Sequence, residues 1–359
     1  MNLPKLLLLL ASVSSGTLSQ VLMNSDGHGA YEKIRGSGYD LELPDCVHPV
    51  RHITDVWDHD LRKNVFAFTL HKEIDNDRCK NFDRQRCEIT SDTISSPESL
   101  RGTMGEVHWY RWKFKLDRGF QPSPNFYHIH QIKAGNGPEA GAPIITITPR
   151  HGDPEILQII FSAPRGQAGS GPVLEVPLAP FKGEWVEALE RVTFTEHGTI
   201  SLVLRRVSDD SLLLSYEDSD IALWRPGATW NKPKFGIYRS LRSIDFLRDE
   251  TVLFADILVS EGEVKLPPPP ENVTGKLTSP GVVRLHWTPG NTATESFRVD
   301  RSLDGRTWQF LGTAAGNEKA YSDTLESTSF TNYYRVRAEN AAGNSGHSAV
   351  VLLSTRESE

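Results

Sequence analysis

The sequence predicts an all-β protein built as two antiparallel sandwiches in series. Strand-like runs recur along the chain with hardly any helical periodicity between them. The segment Glu106 to Leu116 alternates cleanly, with Val107, Trp109, Arg111, Lys113 and Lys115 on one face and His108, Tyr110, Trp112, Phe114 and Leu116 on the other. Pro267-Pro268-Pro269-Pro270 interrupts the pattern, and nothing packed is expected to continue through it.

Taken in order, residues 1–19 come first. Lys5, the apolar run Leu6 to Leu10 extended by Ala11 and Val13, and then small residues have the layout of a secretory signal peptide. The run is too short to span a bilayer, and no later stretch approaches the roughly 20 apolar residues of a transmembrane helix. A secreted, extracellular protein with no membrane contact is expected, and a monomer. A chain of 359 residues with 38% apolar content can bury two cores. Residues 20–262 form the first domain, 263–270 a stiff proline-rich linker and 271–355 the second domain.

In the first domain, strands are expected over Val65 to Leu70, Glu106 to Leu116, Phe126 to Lys133, Ile144 to Thr148 and Ile156 to Phe161. They continue over Trp185 to Phe194, Thr199 to Val207, Lys234 to Tyr238 and Val252 to Ser260. So many strands pack most naturally as a large antiparallel sandwich. In the second domain they cover Val282 to Trp287, Ser296 to Ser302, Trp308 to Thr313, Tyr333 to Glu339 and Ser348 to Leu353, a spacing that predicts a smaller sandwich.

Cys46, Cys79 and Cys87 imply one disulfide and one free thiol in an oxidising compartment. Cys87 lies between polar strand positions and so points to the packed side, which leans the pairing to Cys46 with Cys79. The formal charge of -7 becomes -8 once Lys5 leaves with the leader, 38 basic residues against 46 acidic. Nucleic acid is therefore not an expected partner. An anionic polysaccharide is compatible, because a local basic groove dominates net charge at close range. Asn272-Val273-Thr274 is a glycosylation sequon in a eukaryotic host.

Three strand segments carry polar residues where a buried strand would carry Val or Leu. Arg84, Arg86 and Glu88 share a face; His128 and His130 share a face; Lys234, Gly236 and Tyr238 share a face, with Arg239 next to them. Core packing has no use for such faces, and a cleft that deprotonates a sugar acid does.

In that order, Arg86 with Glu88, His130, and Lys234-x-Gly236-x-Tyr238 resemble the jelly-roll polysaccharide lyases, the concanavalin A-like fold of alginate lyases, glucuronan lyases and heparin lyase I. The likeness covers roughly residues 45 to 260, and Trp185-Val186-Glu187 and Trp230-Asn231-Lys232-Pro233 frame the third motif similarly. It implies an antiparallel β-jelly-roll and cleavage of a uronate-containing polymer by β-elimination, with no cofactor required. Carried over by position, Tyr238 is the acid and also a candidate base, and His130 the base or its partner. Arg86 and His128 neutralise the substrate carboxylate, and Glu88, Gln131, Lys234 and Arg239 position or bind substrate. Where the family has Gln, this chain has His128, unless Gln131 takes that part from the opposite face. Farther on, Val283 to Pro289, Tyr321-Ser322-Asp323 and Tyr333 to Ser345 together look like a fibronectin type III domain, in which Trp287 and Tyr334 would be core residues.

Weaker signals give other readings. Glu73 and Asp77 partly resemble the acids of jelly-roll glucan hydrolases. Asp75, Asp77 and Asp83 offer the oxygens of a structural calcium site, or form a polar loop. Trp57-Asp58-His59-Asp60 fits no standard metal spacing. Trp109, Trp112, Trp224 and Trp230 are sugar-stacking platforms or core residues. A non-catalytic lectin or adhesion protein would use the same polar face as the lyase. The loops Gly135 to Ala142 and Ala163 to Gly171 would discriminate among polymers.

Overall fold

A computed structural model describes residues 19–46, 50–91, 96–262, 264–290, 294–325 and 330–355. The leader-like segment, apart from Ser19, lies outside them. The first domain contains β1 (Gln20–Met23), β2 (Asp40–Glu42), β3 (Ile53–Asp58), β4 (Lys63–Leu70) and β5 (Arg84–Thr90). Next come β6 (Val107–Leu116), β7 (Tyr127–Ala134), β8 (Pro143–Arg150), β9 (Ile156–Phe161) and β10 (Gly171–Pro177). β11 (Trp185–Thr193), β12 (Gly198–Arg206), β13 (Leu212–Ile221), β14 (Asn231–Ser240) and β15 (Glu250–Glu261) complete it. One short helix, α1 (Ala30–Gly36), buries Ala30, Tyr31 and Ile34 and was not legible as helical periodicity.

These strands form two antiparallel sheets packed face to face, a jelly-roll sandwich. One runs β13-β12-β11-β6-β15-β4-β3 with β1 beside β15, the other β10-β9-β8-β7-β14-β5-β2. The even-numbered side chains of β6 point inward as the alternation requires. Tyr110, Trp112, Phe114 and Leu116 meet Ile129, Phe235, Ile237 and Ile147 of the facing sheet in one core. Cys87 is buried in the same core, and Cys46 pairs with Cys79.

The second domain, a smaller sandwich, pairs β16 (Glu271–Ser279), β17 (Val282–Thr288) and β20 (Ala320–Thr324) against a second sheet. That sheet contains β18 (Ser296–Ser302), β19 (Gln309–Ala315), β21 (Phe330–Asn340), β22 (Gly343–Asn344) and β23 (Val351–Thr355). Trp287, Phe297, Val299 and Tyr334 fill its centre, and the Tyr334 hydroxyl donates to Asp323 at 2.9 Å.

The proline run does not hold the domains apart. The odd-numbered face of β6 meets the second domain at Trp109 and Arg111. Arg111 donates to the Asn340 carbonyl at 2.7 Å and to Glu187 at 2.9 Å, and lies 3.1 Å from Glu339. Lys113 bonds Asp256 at 2.7 Å, and Arg337 reaches back to Asp210 through two bonds of 2.8 and 3.2 Å. Burial opposes the Glu187 charge, but Arg111 and Lys113 hold its carboxyl down to about 2. Trp109 lies in this junction too, its indole N–H donating to the Gly262 carbonyl.

Because a buried ion pair that loses one partner strands the other, Arg111→Ala is expected to cost about 3–5 kcal/mol. Urea unfolding of the full chain, monitored by tryptophan fluorescence, measures it. Substituting an exposed arginine such as Arg306 should change stability by less than about 0.5 kcal/mol.

Candidate functional site

The outer face of the seven-stranded sheet carries the polar residues, and register decides which of them reach it. β5 and β14 pair without interruption, Gly236 opposite Glu88 and Tyr238 opposite Arg86. Arg84, Arg86, Glu88, Lys234 and Tyr238 therefore emerge together. Gly236 sits at φ 136, and a Cβ there would lie 2.2 Å from the Cys87 carbonyl oxygen, so only glycine fits.

On its other side β14 pairs with β7, and there the count slips. Phe235 to Tyr238 spans three steps where His130 to His128 spans two. Alternation along β7 is lost at that point, and Ile129 and His130 both face the core. His130 is fully buried, its ring 4.3 Å from that of Trp112, and its Nε2 meets Glu190 of the facing sheet at 3.0 Å. The expected shared face of His128 and His130 is thereby corrected: His128 and Gln131 reach the outer face, and His130 does not. Arg239 is corrected likewise. It points inward, fully buried, and donates to Gln85 at 2.9 Å and to the Arg248 carbonyl at 2.8 Å.

Beneath the surface of the site lies a knot of ion pairs. Arg86 donates to Asp77 at 2.8 Å, to Glu42 at 3.1 Å and to Glu88. Lys234 donates to Glu88 at 2.7 Å and to Glu42, and Gln131 donates to Glu88. Arg78 joins through Glu42 and Asp77. Three cations thus face three carboxylates. Burial opposes the Glu42 charge, yet Lys234 and Arg86 hold its carboxyl down to about 2. Arg86, Glu88 and Lys234 are nearly inaccessible, which makes them supports of the site more than surfaces for a ligand.

Above the knot, Tyr238 is half-buried. The Arg86 guanidinium lies 3.7 Å from its ring centre, and Arg84 donates to its phenolic oxygen at 2.9 Å. Phe126 stacks on His128 at 5.3 Å and packs against Tyr238 at 4.9 Å, forming an aromatic platform of the kind on which sugar rings lie. His128 Nδ1 lies 2.7 Å from Thr148 Oγ1, and the tautomer that donates Nδ1–H across this contact keeps the lone pair on Nε2. Burial, helped by Arg150, Arg86 and Lys133, holds the His128 pKa down at about 3, so the ring is neutral at ordinary pH.

Lys133 and Arg150 give this face its spare positive charge. Lys133 donates to the Gly141 carbonyl, and Arg150 to Gln158 and the Pro124 carbonyl; among the described residues neither has a carboxylate in ion-pair contact. Burial and the nearby cations Lys234 and Arg86 bring Lys133 down to about 8.

Phe126, Thr148, Arg150, Lys133 and Glu42 escaped the sequence reading. Thr148 and Arg150 share the outer face of a strand that was recognised, so alternation from Thr146 could have found them. Glu42 lies on a three-residue strand with no pattern of its own.

The other expectations fall apart spatially. Glu73 has its side chain 75% exposed beside Lys72, while Asp77 is buried against Arg86 and Arg78, so they do not form a hydrolytic acid pair. Asp75 turns to His52 and His71, Asp77 to Arg86, and Asp83 to Arg84 and Arg242; no shared calcium cage results. In Trp57-Asp58-His59-Asp60, Asp58 caps the turn at Leu61 and Asp60 pairs with Lys115. Trp112 and Trp224 are core residues, and Trp230 lies under Lys232.

No protein-family model and no curated protein matches the chain. Among solved structures, a family 7 alginate lyase in complex with substrate aligns at a TM-score of 0.45 and 15% identity, over 65% of this chain and 97% of that one. The marine PL-14 alginate lyase from Aplysia kurodai aligns at 0.47 and 10%, over 68% and 98%. An Fn3-like protein from Clostridium thermocellum aligns at 0.23 and 24%, over 26% and 99%.

Two outcomes are expected of the His128 environment. Thr148→Val leaves the buried His128 Nδ1 without its partner and should cost about 1–3 kcal/mol, read by denaturant unfolding. With a folded pKa of about 3 against the ordinary 6.5, the unfolded chain takes up the His128 proton first. Its contribution is complete above about pH 6.5 and is lost as pH falls toward about 3. Melting temperatures between about pH 7 and about pH 4 should fall less steeply in His128→Gln than in the unaltered chain.

Proposed function

We propose that this chain is a secreted polysaccharide lyase that cleaves a uronic acid-containing polymer by β-elimination. The observation that carries this reading is a phenol and a neutral imidazole on one aromatic platform, flanked by Lys133 and Arg150, which among the described residues have no carboxylate in ion-pair contact. The reaction needs no water. A base removes the C5 proton, the C5 electron pair forms the C4–C5 double bond, and the C4–O bond breaks with its oxygen taking a proton from an acid. The C5 proton is too weakly acidic while the adjacent carboxylate keeps its full charge, so cations at that carboxylate supply the main stabilisation.

Tyr238 is suited to be the acid. Arg84 occupies a lone pair of its oxygen and leaves the phenolic proton to be donated. His128, in the tautomer that donates Nδ1–H to Thr148, offers Nε2 as the base, its low basicity raised when the substrate carboxylate brings negative charge beside it, the part the sequence assigned to His130. Arg150 and Lys133 are suited to receive the carboxylate, with Phe126 under the ring. Arg86, Glu88, Lys234 and Gln131 hold Tyr238 and the strand register. The leader-like segment 1–19 and the Cys46–Cys79 disulfide support secretion. Glucuronan, alginate and other glucuronate-bearing polymers all present the required carboxylate.

The test is a panel of such polymers assayed for the ultraviolet absorbance of the unsaturated product. Turnover of at least one is expected, and Tyr238→Phe should lower kcat by about 10²–10⁴ with KM little changed. Reducing ends without unsaturated product would replace the lyase by a hydrolase, and binding without turnover would leave a lectin. Near-normal activity in Tyr238→Phe would refute the acid assignment.

A further inference from the structure

Behind the strand that carries Arg86, a second constellation of ligating groups has no part in the chemistry above. His52 immediately precedes β3, and His71 immediately follows β4, its antiparallel neighbour. The pairing brings both imidazoles to one end of the sheet, their rings 5.6 Å apart and near perpendicular. Asp75 closes back on them from the turn after β4: its carboxylate accepts the His71 backbone N–H at 2.6 Å, while its own N–H donates to the His71 carbonyl. Gln85, on the inner face of β5, donates to the carbonyls of His71, Lys72 and Asp75 and fixes the turn.

We infer that His52 Nε2, His71 Nδ1 and the Asp75 carboxylate bind a divalent transition cation of the zinc class. The three ligand atoms lie within 4.8 Å of one another. His52 Nε2 is 3.0 Å from Asp75 Oδ1, and His71 Nδ1 is 3.2 Å from Asp75 Oδ2. Tetrahedral zinc with ligands at about 2.0–2.1 Å sets them roughly 3.3 Å apart, so a cation fits with small adjustment. Asp45 supplies the outer shell. It meets His52 Nδ1 at 2.6 Å and is itself held by the Tyr31 hydroxyl, an arrangement that orients a ligating imidazole and presents its Nε2 lone pair inward. Two nitrogens and one carboxylate favour zinc over calcium, which takes oxygen ligands. His52 and Asp75 are buried, and His71 is 31% exposed.

The cation would be structural. The turn it anchors is stapled again at Cys79, and it presents Asp77 to Arg86 on the opposite face of β5. The inference does not depend on the lyase reading, because its test reads metal and not turnover.

The full mature chain, stripped with chelator and dialysed, is titrated with Co²⁺ and then Zn²⁺. Expected are one Co²⁺ per chain with the intense visible bands of a tetrahedral site, displacement by Zn²⁺, and a higher melting temperature with Zn²⁺ than with chelator. His71→Ala should weaken binding at least about tenfold, the loss that even an outer-shell partner causes, while Glu73→Ala leaves it unchanged. Failure of the unaltered chain to bind Co²⁺ stoichiometrically, or His71→Ala binding equal to it, would overturn the site and leave a proton-bridged imidazole–carboxylate cluster. Should His71→Ala not fold, the titration of the unaltered chain decides alone.

Discussion

Between Phe235 and Tyr238 strand β14 advances three residues while its neighbour β7 advances two, and the site depends on that mismatch. Side chains in a strand change face at every step, so one unmatched residue reverses the facing of everything beyond it. On one side of the slip, Tyr238 and His128 stand together on the outer face. On the other, Lys234 and Gln131 do, and His130 is delivered to the core. Gly236 makes the slip sterically feasible, since the Cys87 carbonyl of β5 occupies the space a Cβ would need.

Charge buried beneath a sheet surface persists only where it is paired and hydrogen-bonded. Arg86, Lys234 and Arg78 meet that condition against Glu42, Glu88 and Asp77, from four separate stretches of chain. The knot is closed on itself, and this closure assigns different parts to residues of one charge. Arg86 and Lys234 stabilise the register and the Tyr238 ring, whereas Lys133 and Arg150 have no carboxylate in ion-pair contact among the described residues.

The same rule governs the back of the molecule. The outer face of β6 carries Arg111 and Lys113, which pair with Glu187 and Asp256 of the neighbouring strands, and the second domain adds Glu339 over Arg111. An ionic junction of this kind, beside the apolar cluster of Trp109, Leu258, Ala341 and Ala342, fixes the relative placement of the two sandwiches. The stiffness of four consecutive prolines is not needed to explain it, since Arg337 and Asp210 tie the domains directly.

By itself the sequence determined what local periodicity can carry: two antiparallel sandwiches, the alternation of β6, the core positions of Trp287 and Tyr334, and a polar face on β5 and β14. These follow from a two-residue repeat and from turn chemistry, both written in contiguous residues. Tertiary structure alone decided that His130 turns inward and Gln131 outward, because relative register is counted between strands a hundred residues apart. It also decided that Glu42 and Asp77 saturate Arg86, that Thr148 orients His128, and that His52, His71 and Asp75 converge. Each of those partnerships depends on where distant backbones bring short side chains together, and no spacing along the chain encodes that distance.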